Sequence, residues 1–200
     1  MNLRVAPMSR AEIEFWLDAV AELRIRVFAE FPYLYDGDMD YEREYLATYR
    51  ESARAVIVGA WDGDTLVGAS TGTPMEDHAD DFAHAFADQN LDISRIFYCA
   101  ESVLLPEYRG RGIGAKFFDH REAHARALGR EWSAFCAVIR PEDHPARPAI
   151  YSPHDGFWTK RGYAKLPGAI AHFSWKDIGN TNETRKPLQF WIRSLKERSS

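Results

Sequence analysis

Apolar positions along the chain follow two periodicities, and the first is that of amphipathic helices. Ser9 and Glu12 form a capping-box pattern ahead of a segment in which apolar residues recur every three to four positions. Gly129 and Gly162 follow two later segments of this kind, as glycines do at helix ends. The predicted helices run from Ser9 to near Phe31-Pro32, from Asp40 to about Tyr49, over part of the acidic segment 75–91, from Lys116 to Leu128 and from Asp155 to Arg161.

The second periodicity is that of strands, which read as alternating or continuous apolar runs. The predicted strands are 3–6, 55–61, 65–73, 95–105, 132–139, 169–175 and 188–194. The run 95–105 is the longest and nearly all apolar, as expected of a central strand. This order of elements predicts a mixed α/β fold, with a central, mostly antiparallel sheet of six to seven strands and flanking helices, in a single domain over residues 1–200.

Composition narrows the class of protein. The 200 residues are 46% hydrophobic and 14% aromatic, enough to fold around a core. A formal net charge of −5 argues against a nucleic-acid partner. No segment approaches the length of a membrane span, and the N-terminus lacks the apolar region of a signal peptide. We therefore expect no membrane partner and a cytoplasmic location.

Cysteine and histidine positions suggest little chemistry. Cys99 and Cys136 lie in apolar runs and are predicted to be buried, not paired. His120 and His124 have a spacing that can ligate zinc, but no third ligand is evident, so we expect no metal. The apolar run 188–194 suggests a last strand with an exposed edge, through which two copies could pair as a homodimer.

A glycine-rich segment between the predicted central strand and a helix carries the clearest chemical signal. In Arg109-Gly-Arg-Gly-Ile-Gly114, three glycines allow a tight turn whose amides, with the start of the helix, would bind phosphate oxygens. Nucleotide-binding loops share this composition, but the P-loop pattern G-x-x-x-x-G-K-[ST] is absent and the element order is not that of a Rossmann unit. A surface turn with solvated arginines is the plainer alternative.

The segment resembles the Gcn5-related N-acetyltransferase superfamily, whose motif is [Q/R]-x-x-G-x-[G/A]. Arg109, Gly112 and Gly114 match the motif, and Leu104-Leu-Pro106-Glu-Tyr108 matches the lead-in from the preceding strand. The resemblance implies acetyl-CoA as co-substrate and the primary amine of a small or amino-acid-like molecule as acceptor. Val103 and Leu104 would hold the pantetheine through their main chains. The diphosphate would lie on the main chain of Arg109, Gly110, Arg111, Gly112, Ile113, Gly114 and Ala115.

Two residues are candidates for proton transfer. Glu101 is a carboxylate within the central apolar run, at a position where many members of the resembled family carry an acid, and it is predicted to be the general base. The alternative is that Glu101 pairs with an arginine or caps a buried donor. Trp158 occupies the position where the family often has an acidic tyrosine, so Tyr151 is the substitute general acid. The same mismatch motivates a second hypothesis, a non-catalytic sensor that binds acyl-CoA.

Acceptor residues are suggested by two loops that point to different substrates. Tyr33 and Tyr35 lie on the loop that lines the acceptor site in relatives, and aromatic rings there would suit a cationic amine or form a packed lid. Arg140 follows the fifth predicted strand of the resembled fold and could bind an acceptor carboxylate, or be solvated. The acceptor is therefore not decided by the sequence.

Overall fold

The structure is a computed structural model that describes residues 2–196. Within this range the strands are β1 (Leu3–Pro7), β2 (Val56–Asp62), β3 (Thr65–Pro74), β4 (Ile96–Tyr98), β5 (Ser102–Leu104), β6 (Trp132–Val138), β7 (Ala164–Lys176) and β8 (Glu183–Ser194). The α-helices are α1 (Arg10–Phe28), α2 (Met39–Glu51), α3 (Ala79–Phe86), α4 (Ile113–Ala127) and α5 (Asp155–Lys160). Short 3₁₀ turns precede α3, β4 and the glycine-rich loop.

The strands form one sheet in the order β1-β2-β3-β4-β6-β8-β7, with β5 paired to β3 beside this path. Neighbouring strands are antiparallel except β4 and β6, which are parallel. The predicted class, a mixed α/β fold with a mostly antiparallel sheet and flanking helices, is confirmed. The described residues form eight strands rather than six or seven, because the predicted central strand is divided.

The division of the central strand is the feature that shapes the site. β4 pairs with β3 on one side and with β6 on the other. The last hydrogen bond to β6 is the one that the Cys99 amide donates to the Ala134 carbonyl, at 2.8 Å. The next amide, that of Ala100, donates to Thr71 of β3 instead, at 3.1 Å. β5 then pairs with β3 alone, so a gap opens between β5 and residues 135–138 of β6. We call this gap the wedge.

The C-terminal strands differ from their predicted bounds and position. β7 and β8 have 13 and 12 residues, longer than the predicted strands 169–175 and 188–194. Most of the residues added to β7 are 164–168, where Pro167, Gly168 and exposed side chains interrupt the apolar pattern, and those added to β8 are the mostly polar residues 183–187. β8 pairs with both β6 and β7, so the prediction that 188–194 offers an open edge for a homodimer is wrong. The path of the sheet ends at β1 and β7.

Two apolar clusters cover the sheet. One joins α1, α2 and α4 to β2, β3 and β5, and the other joins α3 to β4, β6, β7 and β8. Cys99 and Cys136 are buried in these clusters as free thiols, as predicted. Burial raises the pKa of Cys136 to about 12, so its thiol stays protonated at neutral pH. Across residues 2–196, no helix combines the length and apolar character needed to cross a bilayer.

Candidate active site

The glycine-rich loop presents its main chain to open space. Gly110 and Gly112 have φ angles of 75° and 77°, in the left-handed region that favours glycine. Gly112 is the N-cap of α4, where no side chain among the described residues caps the helix. A Cβ added at either glycine would meet no atom within 4 Å. The first amides of α4, which lack partners within the helix, therefore face a cradle of the kind that binds phosphate oxygens.

The loop arginines brace this cradle. Arg109 Nη1 lies 2.9 Å from Glu30 Oε2, and its Nε donates to the Leu104 carbonyl at 3.2 Å. Arg111 Nη2 donates to the Glu107 carbonyl at 3.0 Å. These contacts tie the loop to α1 and to the end of β5. Side chains thus brace the loop, and its main-chain amides are the groups available to a ligand.

The register of β5 decides which of its main-chain groups face the wedge. The Leu105 amide donates to Val67 at 3.0 Å, and the Thr71 amide donates to Glu101 at 3.1 Å. Antiparallel pairs alternate, so Val103, which lies opposite Ala69, also directs its main chain toward β3. The prediction that the Val103 main chain is available to a ligand is wrong. Leu104 and the unpredicted Ser102 direct their N–H groups into the wedge.

A cavity of about 760 Å³ meets the wedge at the break between β4 and β5. Ala100 and Glu101 of the break line it, together with Cys136 of β6. Its tyrosines are Tyr33, Tyr35, Tyr41, Tyr45, Tyr49 and Tyr98, and its other aromatic residues include Phe28, Phe82, Phe173 and Trp175. The structure thus brings predicted residues Tyr33, Tyr35 and Glu101 to one cavity.

Glu101 belongs to a buried charge cluster. Arg24 of α1 forms ion pairs with both Glu101 and Glu42, and all three side chains are at most 9% exposed. Tyr45 donates a hydrogen bond to Glu101 Oε2 at 3.0 Å. The contacts are those of the alternative interpretation, in which Glu101 pairs with an arginine. One guanidinium shared by two carboxylates leaves this cluster with a net negative charge.

Arg140 is not available to a substrate. Its Nη1 and Nη2 donate to the Asp177 carboxylate at 2.9 and 3.0 Å. Its Nε donates to the Pro32 carbonyl at 2.8 Å, and Nη2 also donates to the Tyr33 carbonyl at 2.7 Å. Its side chain is 9% exposed and is absent from the cavity wall. The prediction that Arg140 binds an acceptor carboxylate is therefore wrong. Arg140 instead holds the segment of Tyr33 against the start of the β7–β8 connection.

The pairing of Asp177 with Arg140 and Lys186, which we call the clamp, should make the stability of the fold depend on pH in the acidic range. Burial raises the pKa of Asp177, but hydrogen bonds from Arg140 and Lys186 outweigh it and hold the pKa below its usual 3.8. A lowered folded-state pKa stabilises the protein above 3.8 and loses that contribution as pH falls below it. We expect Asp177→Asn to lower the free energy of unfolding at neutral pH, and the difference from wild type to shrink toward pH 3. Urea unfolding from pH 3 to 7 measures this, and exposed Asp143→Asn is the control, with no such trend expected. A difference in the free energy of unfolding that stays constant with pH would contradict the proposed effect of the Arg140–Asp177 pair.

The predicted general acid lies apart from Glu101. Tyr151 packs edge-on against Phe31, with ring centroids 4.8 Å apart, and does not line the cavity. Trp158 packs against Phe135 and Trp191 in the apolar core. The structure therefore does not bring Tyr151 and Glu101 into one constellation.

His78 is one of the cavity residues that sequence reasoning missed. The segment 75–91 was expected to be an acidic insertion with a short helix, and α3 lies there. That segment also places Asp77, His78 and Asp81 on the cavity wall. The available signal was a histidine three residues before an aspartate at the start of a helix, a spacing that puts both on one face. His120 and His124 show no such role, since His124 Nε2 contacts the Arg54 carbonyl at 2.9 Å.

A loop with open main-chain amides, next to a wedge and a large cavity, is an arrangement that could hold a long phosphorylated ligand in extended form. A sequence model of the acetyltransferase (GNAT) family matches residues 20–151, about two thirds of the chain. The chain belongs to this family, which confirms the resemblance seen in its glycine-rich segment. A search of curated proteins finds no match.

Solved structures share the fold at low sequence identity. One is a Salmonella typhimurium protein described as an acetyltransferase and solved with its cofactor acetyl-CoA, with a TM-score of 0.61 and 12% identity over 100% of this chain and 98% of that one. Another is an aminoglycoside 6'-N-acetyltransferase complexed with coenzyme A, with a TM-score of 0.62 and 14% identity over 98% of this chain and 99% of that one. A third is an N-acetyltransferase from Staphylococcus aureus Mu50, with a TM-score of 0.58 and 12% identity over 98% of this chain and 100% of that one.

Proposed function

We propose that this protein transfers the acetyl group of acetyl-CoA to the primary amine of a small cationic acceptor held in the cavity. The observation that carries the proposal is that the cavity meets the wedge at Glu101, beside the open main-chain edge of β5. A donor in the wedge and an acceptor in the cavity would meet at that break.

The residues present fit acetyl-CoA. The amides of 110–115 would hold its diphosphate, beside the open space that Gly110 and Gly112 face. Ser102 and Leu104 would bind the pantetheine arm and polarise the acetyl carbonyl through their main-chain N–H groups. When bound, acetyl-CoA supplies an activated acetyl group as a thioester. The acetyl-CoA and coenzyme A of two structural neighbours support this choice of donor.

The cavity wall favours a cation. Arg24 and Arg54 contribute two positive charges, while Asp77, Asp81 and Glu101, with Glu42 behind Arg24, contribute four negative ones. Tyrosine and tryptophan faces add attraction for an ammonium group. An acceptor with an aromatic or extended apolar body and a protonated amine matches this wall, whereas a carboxylate does not.

For Glu101 we propose a role in charge recognition rather than as the general base. Both oxygens of Glu101 are already engaged, Oε1 in the ion pair with Arg24 and Oε2 in the hydrogen bond from Tyr45, so accepting a proton from the acceptor would disrupt one of these contacts. As a carboxylate, Glu101 attracts the ammonium group of the acceptor to the break between β4 and β5. Another group must then take the proton, because an amine of this kind is protonated up to about pH 10.

A thiol-release assay over a panel of amines tests the proposal. We expect acetyl-CoA to be consumed with phenethylamine or putrescine and not with 2-phenylethanol, which keeps the ring but lacks the charge. Titration calorimetry should show binding of acetyl-CoA in preference to ATP. Binding of acetyl-CoA without thiol release from any amine would favour the sensor hypothesis. Preference for ATP would contradict both hypotheses.

A further inference from the structure

We propose that His78 is the proton acceptor of the transfer reaction and that Asp81 is its positioning residue. The inference rests on the proposed function and deepens it, because it assigns a catalytic residue on the acceptor side of the cavity. His78 lies at the N-terminus of α3, in the segment that follows β3, and both residues line the cavity.

His78 is held in one orientation. Its Nδ1 lies 3.3 Å from Asp81 Oδ2. Its ring packs on Tyr49 of α2, Phe82 of α3 and Tyr98 of β4, with centroids 6.3, 5.8 and 5.5 Å away. In the part of the chain that the structure describes, Nε2 makes no hydrogen bond to protein. A carboxylate on Nδ1 fixes the tautomer in which Nε2 is the free acceptor.

His78 also lies near the wedge. Tyr98, against which its ring packs edge-on, is the last residue of β4 before the strand divides. The Tyr98 hydroxyl lies 3.5 Å from Cys136 Sγ across the strand pair. Tyr49 shares a hydrogen bond of 3.0 Å with Tyr45, which in turn donates to Glu101. His78 and Glu101 thus belong to the same wall of the cavity.

The other carboxylates of the wall are already engaged. Glu101 is paired with Arg24 and bonded to Tyr45. Asp77 is paired with Arg54 and accepts a hydrogen bond from Thr73 at 3.0 Å. The imidazole of His78 is the group that can accept a proton without breaking an ion pair, and protonation would strengthen its contact with Asp81.

The proposed step balances as follows. The bound ammonium group gives one proton to His78 Nε2, and the resulting neutral amine nitrogen attacks the acetyl carbonyl carbon. A carbon–nitrogen bond forms and the carbon–sulfur bond breaks, so that the electron pair leaves with sulfur. A second proton from nitrogen neutralises the departing thiolate. The imidazolium then returns its proton to solvent, and the net products are the amide, free CoA and one proton.

The groups that face His78 set the pH behaviour of such a base. Asp81 and the neighbouring Asp77 are acidic, and Tyr49 and Tyr98 face the ring from α2 and β4. Burial raises the pKa of both tyrosines, so they stay neutral while a histidine titrates. An acidic limb in the rate profile between about pH 5 and 8 would thus report a histidine.

His78→Ala tests the assignment, with the most active amine of the panel and saturating acetyl-CoA. We expect kcat to fall about 10²–10⁴-fold, the usual contribution of a general base, with the Kd of acetyl-CoA unchanged. The acidic limb should disappear, and added imidazole should restore part of the rate. Asp81→Asn should lose less activity and show no rescue. His84→Ala, an exposed histidine on the same helix, should behave as wild type.

Glu101→Gln separates the two roles on this wall. We expect it to raise the KM for the amine while the acidic limb of the profile remains. The assignment to His78 is wrong if His78→Ala keeps the wild-type kcat and pH profile. It is also wrong if His78→Ala loses activity with no imidazole rescue while Glu101→Gln abolishes the acidic limb. In both cases the proposed function still stands. An amine panel that is inactive with wild type contradicts the proposed function itself.

Discussion

Gly112→Glu should reduce the affinity for acetyl-CoA by more than about 100-fold. Gly112 caps α4 with a φ of 77°, and the space beside it holds no atom within 4 Å. A glutamate there would direct a negative charge toward the cradle proposed for the diphosphate, and like charges in contact cost several kcal/mol. Titration calorimetry with acetyl-CoA measures the loss, and turnover with the best amine should fall with it at subsaturating donor.

The chain offers a matched control at the other end of the same helix. Gly129 follows α4 with a φ of 72°, and a Cβ there also meets nothing. Both substitutions force a side chain into the left-handed region, at about 1–2 kcal/mol each. The added carboxylate is favourable at the N-terminus of a helix and unfavourable at its C-terminus. Gly129→Glu should therefore destabilise the fold more than Gly112→Glu yet leave acetyl-CoA binding intact. Equal affinities of the two variants would exclude the cradle as the donor site.

Arg24→Met should lower the free energy of unfolding by about 3–5 kcal/mol, the cost of leaving buried carboxylates without their counterion. Burial alone would lower the pKa of Arg24, but the carboxylates of Glu101 and Glu42 outweigh it and hold the pKa well above its usual value. The guanidinium also lies over the Tyr45 ring, 4.2 Å from its centroid. Chemical denaturation at neutral pH measures the loss.

Arg43→Met is the control, because Arg43 adjoins Glu42 in sequence and also links α2 to α1. Its partner is Asp18, at 2.9 Å, and both side chains are about half exposed or more. Solvent screens such a pair, so its loss should matter little. Adding Glu42→Gln and Glu101→Gln to Arg24→Met should recover stability, since no unpaired charge then stays buried. An Arg24 variant as stable as the Arg43 variant would contradict the role of the cluster.

Local signals in the sequence predicted the fold and the position of the glycine-rich loop well. The capping box at Ser9 is formed as expected, with Ser9 Oγ 3.3 Å from the Glu12 amide. The three glycines between a strand and α4 also lie where their spacing placed them. These features depend on contacts between residues close in the chain, which periodicity and turn chemistry report directly.

Features that depend on distant strands were not predictable in the same way. The run 95–105 is nearly all apolar, and its polar residues Glu101 and Ser102 do not show that the chain leaves β6 near Cys99 while it stays paired with β3. The fate of Arg140 depends on Asp177, 37 positions later, so a loop arginine was read as free when it is clamped. The interior place of β8 likewise depends on strand order, which composition does not encode.

The side chains that converge on the cavity from distant elements were the least predictable part of the candidate site. Side chains that line the cavity come from α2, α3, β4 and β7, and their convergence is a property of the fold. His78 was missed for this reason, since its neighbours Tyr49 and Tyr98 lie 29 and 20 positions away.

The glycine-rich loop offers a ligand main-chain amides, which every amino acid except proline possesses. Gly110 and Gly112 keep the backbone in the left-handed region, and Arg109 and Arg111 brace the loop, so its shape depends on these four positions. The cavity, by contrast, is lined by side chains that come from several separate helices and strands. A fold built this way can change most of its side chains and keep its main-chain geometry, and solved structures of the same fold share 12–14% of their residues with this chain along nearly their whole lengths.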